Sequence, residues 1–144
     1  MVAVNPLRIP AHLPYLLDLV HRRMQDDLGT QLDATAFPEL RGSHFRILSM
    51  IPPEGSRPSV LAAAAHMTRP ALGELVRHLQ DHGYVESRAD ASDGRALIVH
   101  LTRRGKRAAA AAGAAIDRLH QCWSEEIGPG RLDALVDVLA ALSL

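Results

Sequence analysis

The stretch TRPALGELVRHLQDHGYVESRADASDGRALIVHL, residues 68–101, constrains what this chain can fold into more than any other. Leu72, Leu75, Val76 and Leu79 recur at i, i+3, i+4 and i+7, which places them on one face of a helix. Thr68 offers an N-cap hydroxyl, and Pro70 fits a first turn in which its missing N–H has no partner to lose. Gly83 suits the C′ position that closes the helix. The apolar period then drops from 3.6 to 2. Two short strands are predicted, about Tyr84–Arg88 and Ala96–Leu101, the second with Leu97, Val99 and Leu101 on one side and Ile98 and His100 on the other. Asp93-Gly94 is the turn signal in a loop of Asp, Ser, Gly and Arg between them. A helix followed by a basic hairpin can lay one element in a groove and touch the adjacent backbone with the other.

Upstream, a helix over 41–51 should turn Phe45, Leu48 and Ile51 inward and stop at Pro52-Pro53, because the residue before a proline avoids the helical region. Residues 54–58 read as a loop. A short helix over 59–65 follows, with Leu61, Ala62 and Ala65 as its packing face. His66 and Met67 then turn the chain into the Thr68 helix. Two helices so close together, the second amphipathic, form a helix-turn-helix, and the hairpin makes it winged.

Outside this lobe a first helix should start after Pro10 or Pro14, with Leu13, Leu16, Leu17, Val20, Met24 and Leu28 in one stripe. Thr102 should cap a long helix carrying Ala109, Ala112, Ile116, Leu119 and Trp123 on one face. Gly128-Pro129-Gly130 should break it before a last helix with Leu132, Leu135, Val136, Leu139 and Leu142 inward. The expected fold is mainly α with a small β-hairpin wing: a winged helix-turn-helix with N- and C-terminal dimerisation helices. One unit spans 1–144, with the lobe at about 41–105 and the helical dimerisation region at about 11–35 and 106–144.

Sixteen basic residues balance sixteen acidic ones, a net charge of zero that at first argues against nucleic acid. Their distribution reverses that reading. Residues 57–107 hold nine basic and five acidic residues, a balance of +4, and the remainder is correspondingly −4. A basic middle between acidic ends is expected if only the middle faces phosphate. The terminal helices are more apolar than a small winged head needs, so a homodimer is predicted, its twofold matching a pseudo-palindromic duplex site. Cys122 is the one cysteine and has no intrachain disulfide partner. The first fifteen residues lack the unbroken apolar region of a signal peptide, and no apolar run reaches the ~18 residues that span a bilayer. A soluble cytoplasmic protein with no membrane contact is expected.

The segments LRGSHFRILSMI, LAAAAHMTRPALGELVRHLQDHGYVESR and DASDGRALIVHLTRRG, read together, resemble the MarR family of winged helix-turn-helix transcriptional regulators from Arg41 to about Gly105. The resemblance implies a homodimer built from terminal helices, a recognition helix in the major groove and a wing in the minor groove. It also implies release from DNA by a small phenolic or lipophilic ligand bound between dimer core and lobe, or, in other members, by thiol oxidation. Thr68 through Leu79 match the recognition helix, and Thr102 and Gly105 the start of the long helix. Asp93 and Arg95 match the wing's acid-x-Arg pattern, in which Arg95 would enter the minor groove and Asp93 would hold it. Ala71 and Gly73 stand where members more often carry hydroxyl residues. Readout there narrows to thymine methyl contacts, backbone approach at Gly73 and arginine contacts.

The candidate DNA-binding residues are therefore Arg69, Pro70, Ala71, Gly73, Arg77, Arg88, Asp93 and Arg95. A guanidinium donates in a planar fork suited to phosphate or a guanine edge, and a narrow minor groove concentrates negative potential that draws arginine in. Against this, Arg69 and Arg77 could be ordinary solvated side chains, Arg88 could pair with Glu86, and Arg95 could pair with Asp90 or Asp93. The run Arg103, Arg104, Lys106, Arg107 reads as a solvated face. His78 and His82, at i and i+4, offer half a metal site with no further ligand at clear spacing, so no metal is predicted. Cys122 reads as a packed core or interface residue rather than a redox sensor. With no G-x-S-x-G, P-loop, H-E-x-x-H or phosphate-binding glycine fingerprint, neither catalysis nor a cofactor is predicted. The sequence reads as a sequence-specific, double-stranded-DNA-binding transcriptional regulator, a homodimeric repressor released by a small molecule. The alternative is a winged-helix protein-interaction module without DNA binding, which the poorly donating Pro70/Ala71/Gly73 face favours.

Overall fold

The computed structural model describes residues 12–32 and 36–143. Six helices and one hairpin follow in chain order: α1 (Leu13–Gln31), α2 (Gly42–Met50), α3 (Pro58–Ala64), α4 (Arg69–Asp81), β1 (Val85–Ala89), β2 (Leu97–Leu101), α5 (Arg103–Ile127) and α6 (Pro129–Leu142). This is the predicted class, mainly helical with a two-stranded antiparallel wing. Pro10 and residues 33–35, which the sequence reading used for the start and end of the first helical region, lie outside the described residues.

The caps explain the boundaries. Thr68 Oγ1 accepts the Ala71 N–H, Pro70 sits in the first turn of α4, and Gly83 takes the left-handed conformation at φ 71° just beyond its end. Thr102 Oγ1 accepts the Gly105 N–H to start α5 and donates toward the Gly83 and Tyr84 carbonyls, tying α5 to the start of the hairpin. Gly105 is required here by space: a Cβ at that position would collide with the Tyr84 carbonyl oxygen. Gly128, at φ 96°, ends α5 and opens α6, with Pro129 in the following first turn. Pro14 lies within the first turn of α1 and not before it, and Pro58 is already helical, so α3 starts one residue ahead of the sequence reading.

The core lies between α2, α3, α4, the hairpin and the first half of α5. Ile47, Leu48, Leu61, Leu72, Leu79, Tyr84 and Val99 are all essentially inaccessible. Phe45, Leu48 and Ile51 on α2, and Leu61, Ala62 and Ala65 around α3, are buried as their spacing predicts. The strands pair Val85 with Leu101, Ser87 with Val99 and Ala89 with Leu97. The segment read as a plain loop supplies a third edge, because Ser56 exchanges backbone hydrogen bonds with Val99 at 3.0 and 2.9 Å.

Four expectations are corrected. The buried face of α5 is Gly105, Ala108, Ala112, Ala115 and Leu119; Ile116 is half exposed and Ala109 is only partly covered. In α6 only Leu132 is buried, while Leu135, Val136, Leu139 and Leu142 face out of the single chain. The stripe on α1 exists, but that helix buries no residue. Cys122 is exposed and is not a core residue of the single chain.

Candidate nucleic-acid interface

On α4 the buried face of Leu72, Val76 and Leu79 fixes which residues point away from the lobe. Arg69, Pro70 and Arg77 are exposed, and Ala71 and Gly73 are half-buried at its margin. Glu74, which the sequence reading passed over, is exposed on the same side, four residues after Pro70 and three before Arg77. Its only available signal was that helical spacing. A carboxylate there can accept from a cytosine amino group, so the face is less poor in polar readout than Pro70, Ala71 and Gly73 suggest.

The wing's pose is held from inside. One carboxylate oxygen of Asp90 accepts the Ser92 backbone N–H at 2.9 Å and its hydroxyl at 2.8 Å. The other accepts from Arg57, at the start of α3, at 2.5 and 3.2 Å. The Arg57 guanidinium, then the Ser92 donors, hold the Asp90 carboxyl down to about 2. Asp93 accepts the backbone N–H of Arg95 at 3.2 Å, and the Ala96 N–H reaches the Asp93 carbonyl. Asp93 thus fixes the Arg95 backbone and not its guanidinium. The turn spans Asp93–Ala96 with Gly94 and Arg95 at its centre, and Gly94 does not need the left-handed conformation that a two-residue Asp-Gly hairpin would demand.

Among the described residues, Arg69, Arg77 and Arg95 form no ion pair, whereas Arg88 pairs with Glu86 two positions away on the same strand. The candidate residues therefore fall in two places, the exposed side of α4 and the hairpin with Arg95 at its turn. Arg57 was missed because its partner is 33 positions away.

Arg104 also departs from its reading as solvated. It donates to the His82 carbonyl at 2.8 Å and to both carboxylate oxygens of Glu39 at 3.0 and 3.1 Å, and its guanidinium lies 4.3 Å from the centre of the Tyr84 ring. Tyr84 donates its hydroxyl to Glu39 at 2.8 Å. The Tyr84 hydrogen bond, supported by Glu39's own backbone and by Arg104, holds the Glu39 carboxyl down to about 2; burial and the same bond push the Tyr84 phenol up to about 12. This network clamps the C-terminal end of α4 between the 36–41 loop and the start of α5.

A cleft of about 730 Å³ opens among α1, α2 and α5, walled by Met24, Leu28, Phe45, Met50, Ile116 and Leu119. Arg46, Gln25, His21, Ser43 and Ser49 supply its polar lining, and no Asp or Glu does. Arg46 also donates to the carbonyl of Ala65 at 3.1 Å, the residue that ends α3. One side chain thus touches both the cleft and the turn before α4.

The MarR family model matches residues 40–96, the stretch from the start of α2 through the wing turn. No curated protein matches this chain. Solved structures of the same fold include the PcaV transcriptional regulator of Streptomyces coelicolor in complex with its natural ligand: 19% identity, TM-score 0.77, covering 99% of this chain and 97% of that one. The S. aureus MepR–DNA complex is similar at 19% identity and TM-score 0.76, over 92% and 98%. The transcriptional repressor CouR bound to a 23-mer DNA duplex, a protein of Rhodococcus jostii RHA1, is similar at 24% identity and TM-score 0.78, over 92% and 93%. Among the described residues, no group of three or more His, Cys, Asp or Glu is placed to hold a metal ion, and no helix is long and apolar enough to cross a membrane.

Proposed function

We propose that this chain is a MarR-family regulator, a homodimeric transcriptional repressor that binds a pseudo-palindromic duplex and is released by a small molecule. Arg95 carries the reading. It is exposed in a wing turn whose backbone is set by Asp93, while the Asp90 carboxylate is occupied by Arg57. An arginine presented in this way suits a narrow minor groove. Arg69, Pro70, Ala71, Gly73, Glu74 and Arg77 would face the major groove, with Arg88 near phosphate once released from Glu86. Likeness to MepR and CouR, both solved with DNA, supports the partner.

The lobe, about 41–105, would read DNA, and the terminal helices would dimerise. Thirteen of the fifteen exposed large apolar residues among those described lie on α1, α5 and α6. Contiguous apolar surface of that kind is uncommon on a monomer. The cleft beside α1 is where an effector would sit, and likeness to PcaV, solved with its natural ligand, supports one. Arg46 is the direct link from that cleft to the helix-turn-helix.

Selection of bound duplexes from a random pool, followed by titration at several salt concentrations, tests the reading. The enriched site should show dyad symmetry, and affinity should fall steeply with salt through counterion release. Arg95→Ala should weaken binding by about 1–3 kcal/mol with the fold intact. Unchanged affinity removes Arg95 from the interface. Indifference to duplexes even in dilute buffer would instead favour a protein-interaction module.

A further inference from the structure

Three imidazoles stand in one column between the start of α2 and the last turn of α4. The His44 and His78 rings are stacked with centroids 4.3 Å apart and planes 15° from parallel, and His82 lies 4.3 Å beyond His78. Their partners set the protonation each can carry. His78 Nε2 lies 2.8 Å from the Glu39 carbonyl oxygen and must donate, as must His82 Nδ1, 2.9 Å from the His78 carbonyl. His44 differs: its Nδ1 accepts the Arg41 backbone N–H at 3.0 Å, which satisfies the N-cap of α2. It is also the buried member of the column. A proton on that nitrogen would convert the acceptor into a donor aimed at another N–H. It would also place a charge against a stacked neighbour.

We propose that His44 is a pH-sensitive latch whose protonation uncaps α2 and loosens it from the C-terminal half of α4, weakening the lobe on mild acidification. Its effect on duplex affinity rests on the DNA-binding reading; its effect on stability does not. The charged and titratable groups around the column are Arg41 from α2, Glu39 from the preceding loop, Tyr84 from the start of the hairpin and Arg104 from α5. None of them welcomes a second charge. Arg41 is a cation, Arg104 is a cation bonded to the His82 carbonyl, and the Glu39 carboxylate is committed to Tyr84 and Arg104 and shows His78 only its backbone carbonyl. Burial first, then His78, Arg41 and His82, hold His44 below the usual histidine value of 6.5. The fold therefore favours the neutral ring. Its contribution is complete above the unfolded value and is lost as pH falls toward the depressed one.

The test follows the histidine ring resonances of the isotope-labelled full-length protein by NMR from about pH 8 to about pH 5. Melting temperature, at fixed protein concentration, and affinity for a selected duplex are measured over the same range. His44→Gln serves as the comparison, since glutamine at N3 keeps the capping-box acceptor without a titrating ring. His44 should titrate below the usual histidine value. Between about pH 7.5 and about pH 5.5 the wild type should lose roughly 2–4 °C more than the variant. Duplex affinity should fall with it. A His44 that titrates at or above the usual histidine value overturns the proposal, as does a variant that loses stability as steeply as the wild type. Should the variant fail to fold, the wild-type titration alone decides. If both stability results hold but no duplex binds at any pH, the latch stands and the DNA-binding reading fails.

Discussion

The winged lobe and the terminal helices draw on a similar stock of apolar residues and finish differently. In the lobe the apolar faces of α2, α3, α4 and the hairpin are consumed against one another and against α5, leaving Leu72, Leu79 and Val99 no more than 1% exposed. Among the described residues no buried side-chain nitrogen or oxygen is left without a partner. By contrast α1 buries nothing and α6 buries Leu132 alone, although both carry a leucine- and valine-rich face. Helices take most of their stability from covering such a face. The lobe's apolar faces are covered within the chain, whereas those of α1 and α6 stay largely uncovered among the described residues.

The largest expected effect tests that contrast directly. Val136→Asp with Leu139→Asp places two charges on the uncovered face of α6, where both side chains are roughly 40% exposed in the single chain. Sedimentation should show a monomer. Duplex affinity should fall by roughly 10²–10⁴, the gain expected from linking two half-site contacts. Urea unfolding of the lobe, followed at Tyr84, should change little. A variant that stays dimeric, or one whose lobe unfolds with α6, would break the division between a self-sufficient head and dependent ends.

The same contrast explains what could be read ahead of the structure. Elements closed by local chemistry were legible: Thr68, Gly83 and Thr102 mark the ends of α4 and the start of α5, and Leu72, Val76 and Leu79 mark the buried side of α4. On the long helix Ala112 and Leu119 are buried as their spacing predicts, whereas Ala109 and Ile116 each stand one residue from the buried Ala108 and Ala115. Its alanine run offers nearly equal side chains in every direction, so bulky Ile116 drew the assignment, and Ile116 is half exposed. The long-range pairs were invisible for another reason. Arg104 and Glu39 are 65 positions apart, and Arg57 and Asp90 are 33 apart. A charged residue at a helix start has no local feature that separates a solvated arginine from a clamped one.

A smaller effect sharpens the comparison inside the lobe, between the firmly packed α4 and the wing. The wing's placement relies on Arg57 gripping Asp90 and on the Ser56–Val99 bridge. Arg57→Ala should release the wing and leave the Asp90 carboxylate free near phosphate. Since exposed ion pairs contribute little individually, affinity should drop by at most about fivefold. Asp90→Asn, which removes the liberated charge, should lose less than Arg57→Ala. Equal losses would mean that Arg57 itself contacts the duplex. Melting temperature should be nearly unchanged in both, because neither Arg57 nor Asp90 is part of the buried core and the apolar side of the hairpin is left intact.

The smallest effect concerns the clamp at the base of α4, where acid acts on Glu39 in a lower window than on His44. The folded state holds the Glu39 carboxyl at about 2 against an ordinary value of 4.5, through the Tyr84 hydroxyl and Arg104. It therefore binds fewer protons there than the unfolded chain, and stability rises with pH across that interval. The contribution is complete above 4.5 and disappears as pH falls through about 2. Tyr84 mirrors this at the alkaline end: its phenol is pushed to about 12, so its contribution holds below 10 and is lost as pH climbs toward 12. Glu39→Gln can still accept the Tyr84 hydroxyl but cannot titrate. Its urea midpoint should match the wild type only below about pH 2 and fall short of it at neutral pH, with the gap opening between about 2 and 4.5. The gap should stay small, because Glu39 and Arg104 both keep some contact with water. A gap that opened instead near pH 6 would assign the acid response to the histidine column.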